Sequence, residues 1–191
     1  MLAREEQTRS LRHDIKHHLS LIEQLLDRQE LEPAKKYLSE LTGWTDKLNV
    51  KSDTGNDVLN IVINDVWRQS EDVELQWEGA LPNNRLSDIE ICILFSNILK
   101  NALESTLKCE TDRIVKVQLR QANSALVLKC ENPVSELVSY KNGRPVSTKE
   151  SGIHGIGLIN VEEIVNKYSG TITYSSDEKF TVDIVLENVF S

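Results

Sequence analysis

The sequence has few of the residues that stabilise secreted or membrane-spanning proteins. Its three cysteines, Cys92, Cys109 and Cys130, are an odd number and lack the CxxC spacing of redox or zinc motifs. They are therefore expected to be reduced thiols of a cytosolic protein. No apolar run approaches the roughly 20 residues that a membrane helix needs. Met1 is also followed by charged residues too early for a secretory signal.

Basic residues are outnumbered, with 22 Lys and Arg against 30 Asp and Glu and a net charge of −8. This balance argues against a broad nucleic-acid-binding surface but is compatible with a local nucleotide site. A hydrophobic content of 39% and a charged content of 27% describe a globular protein. At 191 residues, the chain has room for one large domain or two small ones.

Two amphipathic helices are predicted at the start of the chain. Apolar residues recur at spacings of three and four over residues 4–29, and Pro33 suits the first turn of a second helix that continues to Leu48. A helical hairpin cannot bury both apolar stripes by itself. We therefore expect a homodimer, in which two hairpins form a four-helix bundle. Docking of the hairpin onto the rest of the same chain is the alternative.

The polar stretch at residues 51–56 predicts a boundary between a helical hairpin domain, 1–52, and a second domain, 53–191. The second domain is predicted as a helix over 57–69, a strand over 73–77 and a helix over 88–108. Strands over 114–119 and 125–130 follow, joined by a turn at 121–124. A helix over 157–168, with Gly170 as its C-terminal stop, precedes strands over 171–174 and 180–186. This order predicts an α+β fold, an α/β sandwich with the helices on one face of a largely antiparallel sheet.

The helix at 88–108 combines a mostly apolar surface with one polar stripe. Asn97, Asn101 and Glu104 fall at i, i+4 and i+7 and so share one face. Polar groups buried on such a helix need partners, because each unpaired one costs roughly 1–3 kcal/mol. The stripe is therefore either part of a site or the solvated face of the helix.

A glycine-rich stretch, residues 152–158, leads into the next helix. Glycines let the backbone approach a ligand, and free N–H groups at a helix start attract an anion. The spacing is not that of a Walker loop, and the stretch does not follow a strand as a dinucleotide fingerprint would. The irregular segment before it, from residue 132, is long enough to predict a functional lid or disorder.

These two stretches together resemble the ATP-binding (Bergerat) domain of the gyrase, chaperone, histidine-kinase and MutL superfamily, also called GHKL. The resemblance implies ATP and Mg²⁺ as ligands, with Asn101 holding the metal and Gly155, Gly157 and Leu158 at the nucleotide. Asn97 occupies the position where the ATPase branches usually place a Glu that activates water. An amide cannot act as a general base. An Asn at this position therefore resembles the kinase branch, and the resemblance implies that Asn97 binds the nucleotide and the metal together with Asn101.

The first helix carries three histidines within two turns, and its Arg12-His13-Asp14-Ile15-Lys16-His17-His18-Leu19 stretch resembles the phosphoacceptor motif of sensor histidine kinases. The closest subfamily is that of Gram-positive peptide-sensing, accessory-gene-regulator-like kinases. The resemblance implies that a neutral His13 ring attacks the γ-phosphorus and that Asp14 orients the ring or accepts its proton. An ordinary exposed helix histidine is the alternative for His13.

The Asp-x-Gly-x-Gly adenine box of histidine kinases is absent, and Cys130-Glu131-Asn132-Pro133 stands in its place. Asn132 is our candidate adenine reader, since an amide both donates and accepts. A turn-forming Asn before Pro is its competing role. Lys149 and His154 are candidate phosphate contacts, with a solvated lid lysine as the alternative for Lys149.

Two further positions differ from many kinases. Glu104 stands where Lys or His is common, and a carboxylate there would help a metal or hold a water. His17 lies four residues after His13, where Thr or Asn assists dephosphorylation of the partner, so phosphatase activity stays open.

The resemblance therefore implies the cytoplasmic part of a bacterial membrane-bound kinase, whose sensor helices would lie upstream of Met1. The expected reaction is autophosphorylation of His13 by ATP, followed by transfer to an aspartate on the receiver domain of a response regulator. The expected partners are a second copy and that regulator, with no nucleic acid. The alternatives are a catalytically degenerate phosphorelay or scaffold protein, and a GHKL-superfamily ATPase that releases free phosphate.

Overall fold

The computed structural model describes residues 16–42, 53–68, 70, 72–136, 138–141, 143–146 and 156–190. The chain divides into two compact units, Met1–Leu48 and Asn49–Ser191. Within the described residues, no helix is both long and apolar enough to cross a membrane. The cysteines are free thiols, and burial raises the pKa of Cys130 to about 12.

The first unit contains two helices, α1 at residues 16–27 and α2 at Leu31–Thr42. The first helix ends because Gln29 takes a left-handed conformation with φ 59°. The second helix begins at Leu31, so Pro33 lies in its first turn, as the sequence predicts. Pro33 is tolerated there because the first-turn N–H groups have no helical partner. Nδ1 of His18 lies 2.7 Å from the Tyr37 hydroxyl, which joins the two helices.

The second unit is built on a five-stranded sheet. Its strands are β1 at Glu74–Glu78, β2 at Ile114–Ala122, β3 at Ala125–Asn132, β6 at Thr171–Ser176 and β7 at Phe180–Leu186. They lie in the order β1-β2-β3-β7-β6 across the sheet. β1 runs parallel to β2, and the other pairs are antiparallel. The sheet is therefore mixed, because the helix between β1 and β2 returns the chain to the same end of the sheet.

The hairpin between β2 and β3 is tighter than the sequence predicts. Ala122 pairs with Ala125, so only Asn123 and Ser124 form the turn. Asn123 adopts a positive φ of 54°, which closes a two-residue loop. The predicted turn over 121–124 was wrong at its first two residues, because Gln121 and Ala122 still pair with β3 as part of β2.

Three helices cover one face of the sheet: α3 at Asp57–Trp67, α4 at Asp88–Thr106 and α5 at Ile156–Lys167. α4 packs on β2 and β3, α5 packs on β6 and β7, and both α3 and α5 contact α4. The inner face of the sheet supplies the core through Val115, Val117, Leu119, Leu126 and Leu128. Polar residues on the intervening positions, such as Lys129 and Asp183, leave the other face to solvent.

The predicted role of Gly170 as the stop of α5 needs correction. The left-handed residue that ends this helix is Ser169, with φ 50°, while the Gly170 N–H donates to Val165 O at 2.8 Å. A Cβ on Gly170 would overlap the carbonyl oxygen of Val185 in β7. Glycine is therefore required by the close approach of the two backbones.

A short hairpin lies within the segment that the sequence leaves without a period. Its strands are β4 at Tyr140–Lys141 and β5 at Arg144–Pro145, and Gly143 in the turn has a φ of 76°. Glycine suits this turn because residues with a side chain rarely adopt that backbone conformation.

Candidate functional site

The polar stripe of α4 lies on the side of the helix that is not buried in the core. Asn97 is half-buried, and Asn101 and Glu104 are exposed, while Ile98, Leu99, Ala102 and Leu103 are buried. Ser87 and Glu90 form a capping box that fixes where the helix begins, and hence which residues face the core. The stripe is accessible to a ligand along its second half.

The start of α5 meets this stripe. A Cβ added at Gly157 would overlap Oδ1 of Asn97, so the two residues are in direct contact. The Nδ2 group of Asn97 donates to the carbonyl of Ile93 at 2.7 Å, which holds the amide in this orientation. The unpaired N–H groups of the first turn of a helix favour an anion. The contact therefore brings an amide side chain and an anion-attracting helix start together.

The end of β3 approaches the same helix about two turns further along, at Ser105. Asn132 is 2% exposed, and its Nδ2 donates to the carbonyl of Pro133 at 2.8 Å. The Ser105 hydroxyl of α4 donates to the same carbonyl at 3.2 Å. Sequence reasoning missed Ser105, although its position four residues after Asn101 places it close to the stripe.

A second set of contacts joins the C-terminal end of α5 to the N-terminal end of α4. Lys167 Nζ lies 2.5 Å from Oε1 of Glu90, and the Tyr168 hydroxyl donates to Oε2 of Glu90 at 3.1 Å. Burial raises the pKa of Glu90, but the hydrogen bonds from Lys167, Ser87 and Tyr168 outweigh it and hold the pKa at about 2. The two helices thus run in opposite directions, with Gly157 held at Asn97.

Five of the predicted site residues lie within the described structure and five lie outside it. Asn97 and Gly157 are in contact, Asn101 follows Asn97 by one turn, Leu158 is half-buried in α5, and Asn132 ends β3. The residues outside the described ranges are His13, Asp14, Lys149, His154 and Gly155.

The family comparison places a GHKL domain over residues 86–187, which is more than half of the chain. This chain belongs to the GHKL family. The matched stretch of the GHKL chain begins just before the capping box of α4 and ends just after β7. It therefore includes Asn97, Asn101, Asn132 and Gly157 in one ATP-binding domain.

Solved structures similar to this GHKL chain include several histidine kinases. The mycobacterial sensor histidine kinase MprB is 18% identical with a TM-score of 0.54, and the match covers 70% of this chain and 95% of MprB. For the Acinetobacter baumannii histidine kinase AdeS, the identity is 15% and the TM-score 0.50, with coverage of 92% and 98%.

A third similar structure is full-length ShkA in complex with AMPPNP, which is 11% identical with a TM-score of 0.54. That match covers 78% of this chain and 33% of ShkA. At these identities the likenesses show the fold. The comparison with curated protein sequences finds no match.

The arrangement fits ATP with Mg²⁺ on its chemistry. The absence of a Cβ at Gly157 lets the start of α5 approach Asn97 closely, and the first-turn N–H groups of a helix favour an anion such as a phosphate. Asn101 is exposed, and its amide oxygen is the kind of hard donor that Mg²⁺ accepts. Asn97 cannot remove a proton from water, because an amide has no basic site at neutral pH. The GHKL domain thus supports a kinase or an ATPase.

Proposed function

We propose that this chain is the catalytic region of a sensor histidine kinase, which phosphorylates its own His13 with ATP. The observation that carries the proposal is the contact between Asn97 and Gly157. Asn97 stands where the ATPase branches of the superfamily usually carry a glutamate. An amide facing the helix start can bind and orient, but it cannot activate water. Phosphate is then transferred to a side chain.

The nucleotide would lie across α4 and the start of α5. Gly155, Gly157 and Leu158 would present backbone N–H groups to the phosphates, and Asn132 would read the adenine edge. Lys149 and His154 would add positive charge or hydrogen bonds to the γ-phosphate.

Asn101, with Asn97 beside it, would hold Mg²⁺. When bound, this ion neutralises charge on the phosphates as the γ-phosphoryl group leaves.

The acceptor chemistry falls to the first helix. A neutral ring nitrogen of His13 would form a bond to the γ-phosphorus as the bond between that phosphorus and the bridging oxygen of ADP breaks. Asp14 would orient the ring and accept the proton released from its other nitrogen. Phosphoryl transfer of this kind depends mainly on positioning and on charge neutralisation. Phospho-His13 would then donate the group to an aspartate of a response-regulator receiver domain.

The proposed context follows the resemblance to accessory-gene-regulator-like, peptide-sensing kinases. Leu19, Leu26 and Leu31 are exposed on α1 and α2, which supports pairing of two hairpins into a four-helix homodimer. The regulator would dock on this helix pair near His13. The whole kinase would be a bacterial membrane protein, with this chain on the cytoplasmic side of a sensor region.

Incubation of the chain with γ-labelled ATP and Mg²⁺ tests the proposal. The wild type should gain phosphate that is stable to alkali and labile to acid, whereas His13→Gln should gain none. His17→Gln and His18→Gln are matched controls from the same stretch of sequence and should still be labelled. Equal labelling of His13→Gln, or no labelling of the wild type, would contradict the kinase reaction. Free phosphate without labelled protein would identify an ATPase, and ATP binding without either product would identify a degenerate scaffold.

A further inference from the structure

The β4–β5 hairpin is too small to be stable by itself. Tyr140 pairs with Pro145 and Lys141 pairs with Arg144, and one further bond joins the Val146 N–H to Ser139 O at 2.8 Å. Isolated two-stranded hairpins are marginally stable even when they are longer than this one. The hairpin therefore requires contacts to the rest of the domain.

Apolar burial gives the hairpin little support, because Tyr140 and Val146 are both exposed. An ion pair provides a specific contact instead. Nη2 of Arg144 lies 2.5 Å from Oε2 of Glu162 in α5. The Arg144 side chain is 64% exposed, whereas that of Glu162 is 13% exposed. The arginine thus reaches from the hairpin to a carboxylate that is largely removed from solvent.

A second polar group lies near the Glu162 carboxylate. Tyr174 in β6 carries a buried hydroxyl that has no hydrogen-bond partner among the described residues. Burial and the charge of Glu162 raise the pKa of Tyr174 to about 12, and Arg144 opposes this effect. Arg144 thus balances the charge of Glu162 beside this buried hydroxyl. Formation of the ion pair between Arg144 and Glu162 is therefore favoured.

We infer that Glu162 is a positioning residue of the ATP site, because its ion pair with Arg144 holds the β4–β5 hairpin on α5. Glu162 lies about one and a half turns after Gly157, so the pair fixes the hairpin close to the helix start that contacts Asn97. The inference rests on the proposed ATP binding at that helix start. It assigns Glu162 to an indirect role, in which the carboxylate acts through Arg144 and does not touch the nucleotide.

The first test uses the full chain without nucleotide and measures amide hydrogen exchange in the hairpin. Arg144→Ala and Glu162→Gln should each speed exchange at Val146 by about fivefold, the size expected for one ion pair. The double variant should be no faster than either single one. The charge exchange Arg144→Glu with Glu162→Arg should restore slow exchange. Glu163→Gln, which removes an exposed neighbouring carboxylate of α5, should leave exchange as in the wild type.

The second test measures the Kd of Mg²⁺-ATP by calorimetry for the same variants. Arg144→Ala and Glu162→Gln should each raise the Kd by about fivefold, and the charge exchange should bring it back. If Arg144 instead contacts the phosphates itself, Arg144→Ala will weaken binding while Glu162→Gln will not, and the inference is overturned. Faster exchange with an unchanged Kd also overturns it, because the pair would then serve stability alone.

The two tests separate this inference from the proposed function. If the wild type binds no ATP, the proposed function fails at once, and with it the role at the nucleotide. The exchange measurements in that case still decide whether Glu162 and Arg144 anchor the hairpin. If the wild type binds ATP and exchange at Val146 is unchanged in both single variants, only the ion-pair inference fails.

Discussion

Gly157 lies so close to Asn97 that a methyl group on its α-carbon would overlap the side-chain oxygen Oδ1. The same side chain is anchored on its other side, where Nδ2 donates to Ile93 O at 2.7 Å. Asn97 can therefore move away only by breaking that hydrogen bond or by shifting α4. The contact fixes the start of α5 against the middle of α4, which are far apart in the sequence.

Substitution of Gly157 by alanine should disturb both stability and nucleotide binding. Overpacking of a well-packed contact costs about 1–3 kcal/mol, so the free energy of unfolding in urea should fall by that amount. The Kd of Mg²⁺-ATP should rise in the same variant. An Asn97→Ala background supplies the control, because there the added methyl group has space and should cost much less. Equal costs in the two backgrounds would show that the contact with Asn97 is not the cause.

Asn101→Asp should weaken binding of Mg²⁺-ATP by at least about tenfold in calorimetry. The new carboxylate places a negative charge beside the phosphates and removes the two amide N–H donors. Asn166→Asp makes the same chemical change on an exposed position of α5 and should bind as the wild type does. An unchanged affinity of Asn101→Asp would remove Asn101 from the metal and phosphate role.

The Glu90 network should make stability depend on pH at the acid end. The pKa of Glu90 falls from 4.5 to about 2 in the folded chain, so the unfolded chain binds the proton more tightly. The stabilisation is therefore complete above about pH 5 and is lost as the pH falls toward 2. Glu90→Gln should lower the free energy of unfolding at pH 7 by about 1 kcal/mol, and this difference should shrink in acid.

A Lys167→Met background checks the cause of this pH dependence. Lys167 is the first of the hydrogen-bond donors that lower the pKa of Glu90, so Glu90→Gln should cost less when Lys167 is absent. A cost that is independent of both Lys167 and pH would show that Glu90 acts only through the capping box with Ser87.

Tyr174→Phe should stabilise the domain or leave it unchanged. The Tyr174 hydroxyl is buried without a hydrogen-bond partner among the described residues, and such a group costs about 1–3 kcal/mol. The ring keeps its stacking on Phe180 in the variant. Thermal unfolding should show a midpoint equal to or above that of the wild type, whereas a clear decrease would reveal a partner for the hydroxyl. Tyr168→Phe is the contrasting case, since it removes the bonds to Arg85 O and Glu90 and should be destabilising.

Local patterns were sufficient to predict most elements of the second unit. The capping box at Ser87 and Glu90 predicted the start of α4, because its hydrogen bonds join residues three apart. The alternation of apolar residues predicted β3 and β7, whose inner positions supply Leu126, Leu128 and Ile184 to the core. The Asn97 and Gly157 motifs were recognised separately, and only their order along the chain and a resemblance placed them in one site. The roles of the residues outside the described ranges, His13 among them, remain predictions.

The sequence by itself predicted the helices of the second unit, most of its strands and the resemblance to the GHKL family, because capping, periodicity and motif spacing are properties of short segments. Tertiary structure alone decided that β1 is parallel to β2 and that Ser169 rather than Gly170 ends α5. It also decided that the backbone at Gly170 lies too close to β7 for a side chain. It also decided the contacts of Asn97 with Gly157, of Glu90 with Lys167 and of Arg144 with Glu162. These features depend on where distant segments pack against one another. That geometry is set by the whole core, and no short stretch of sequence contains it.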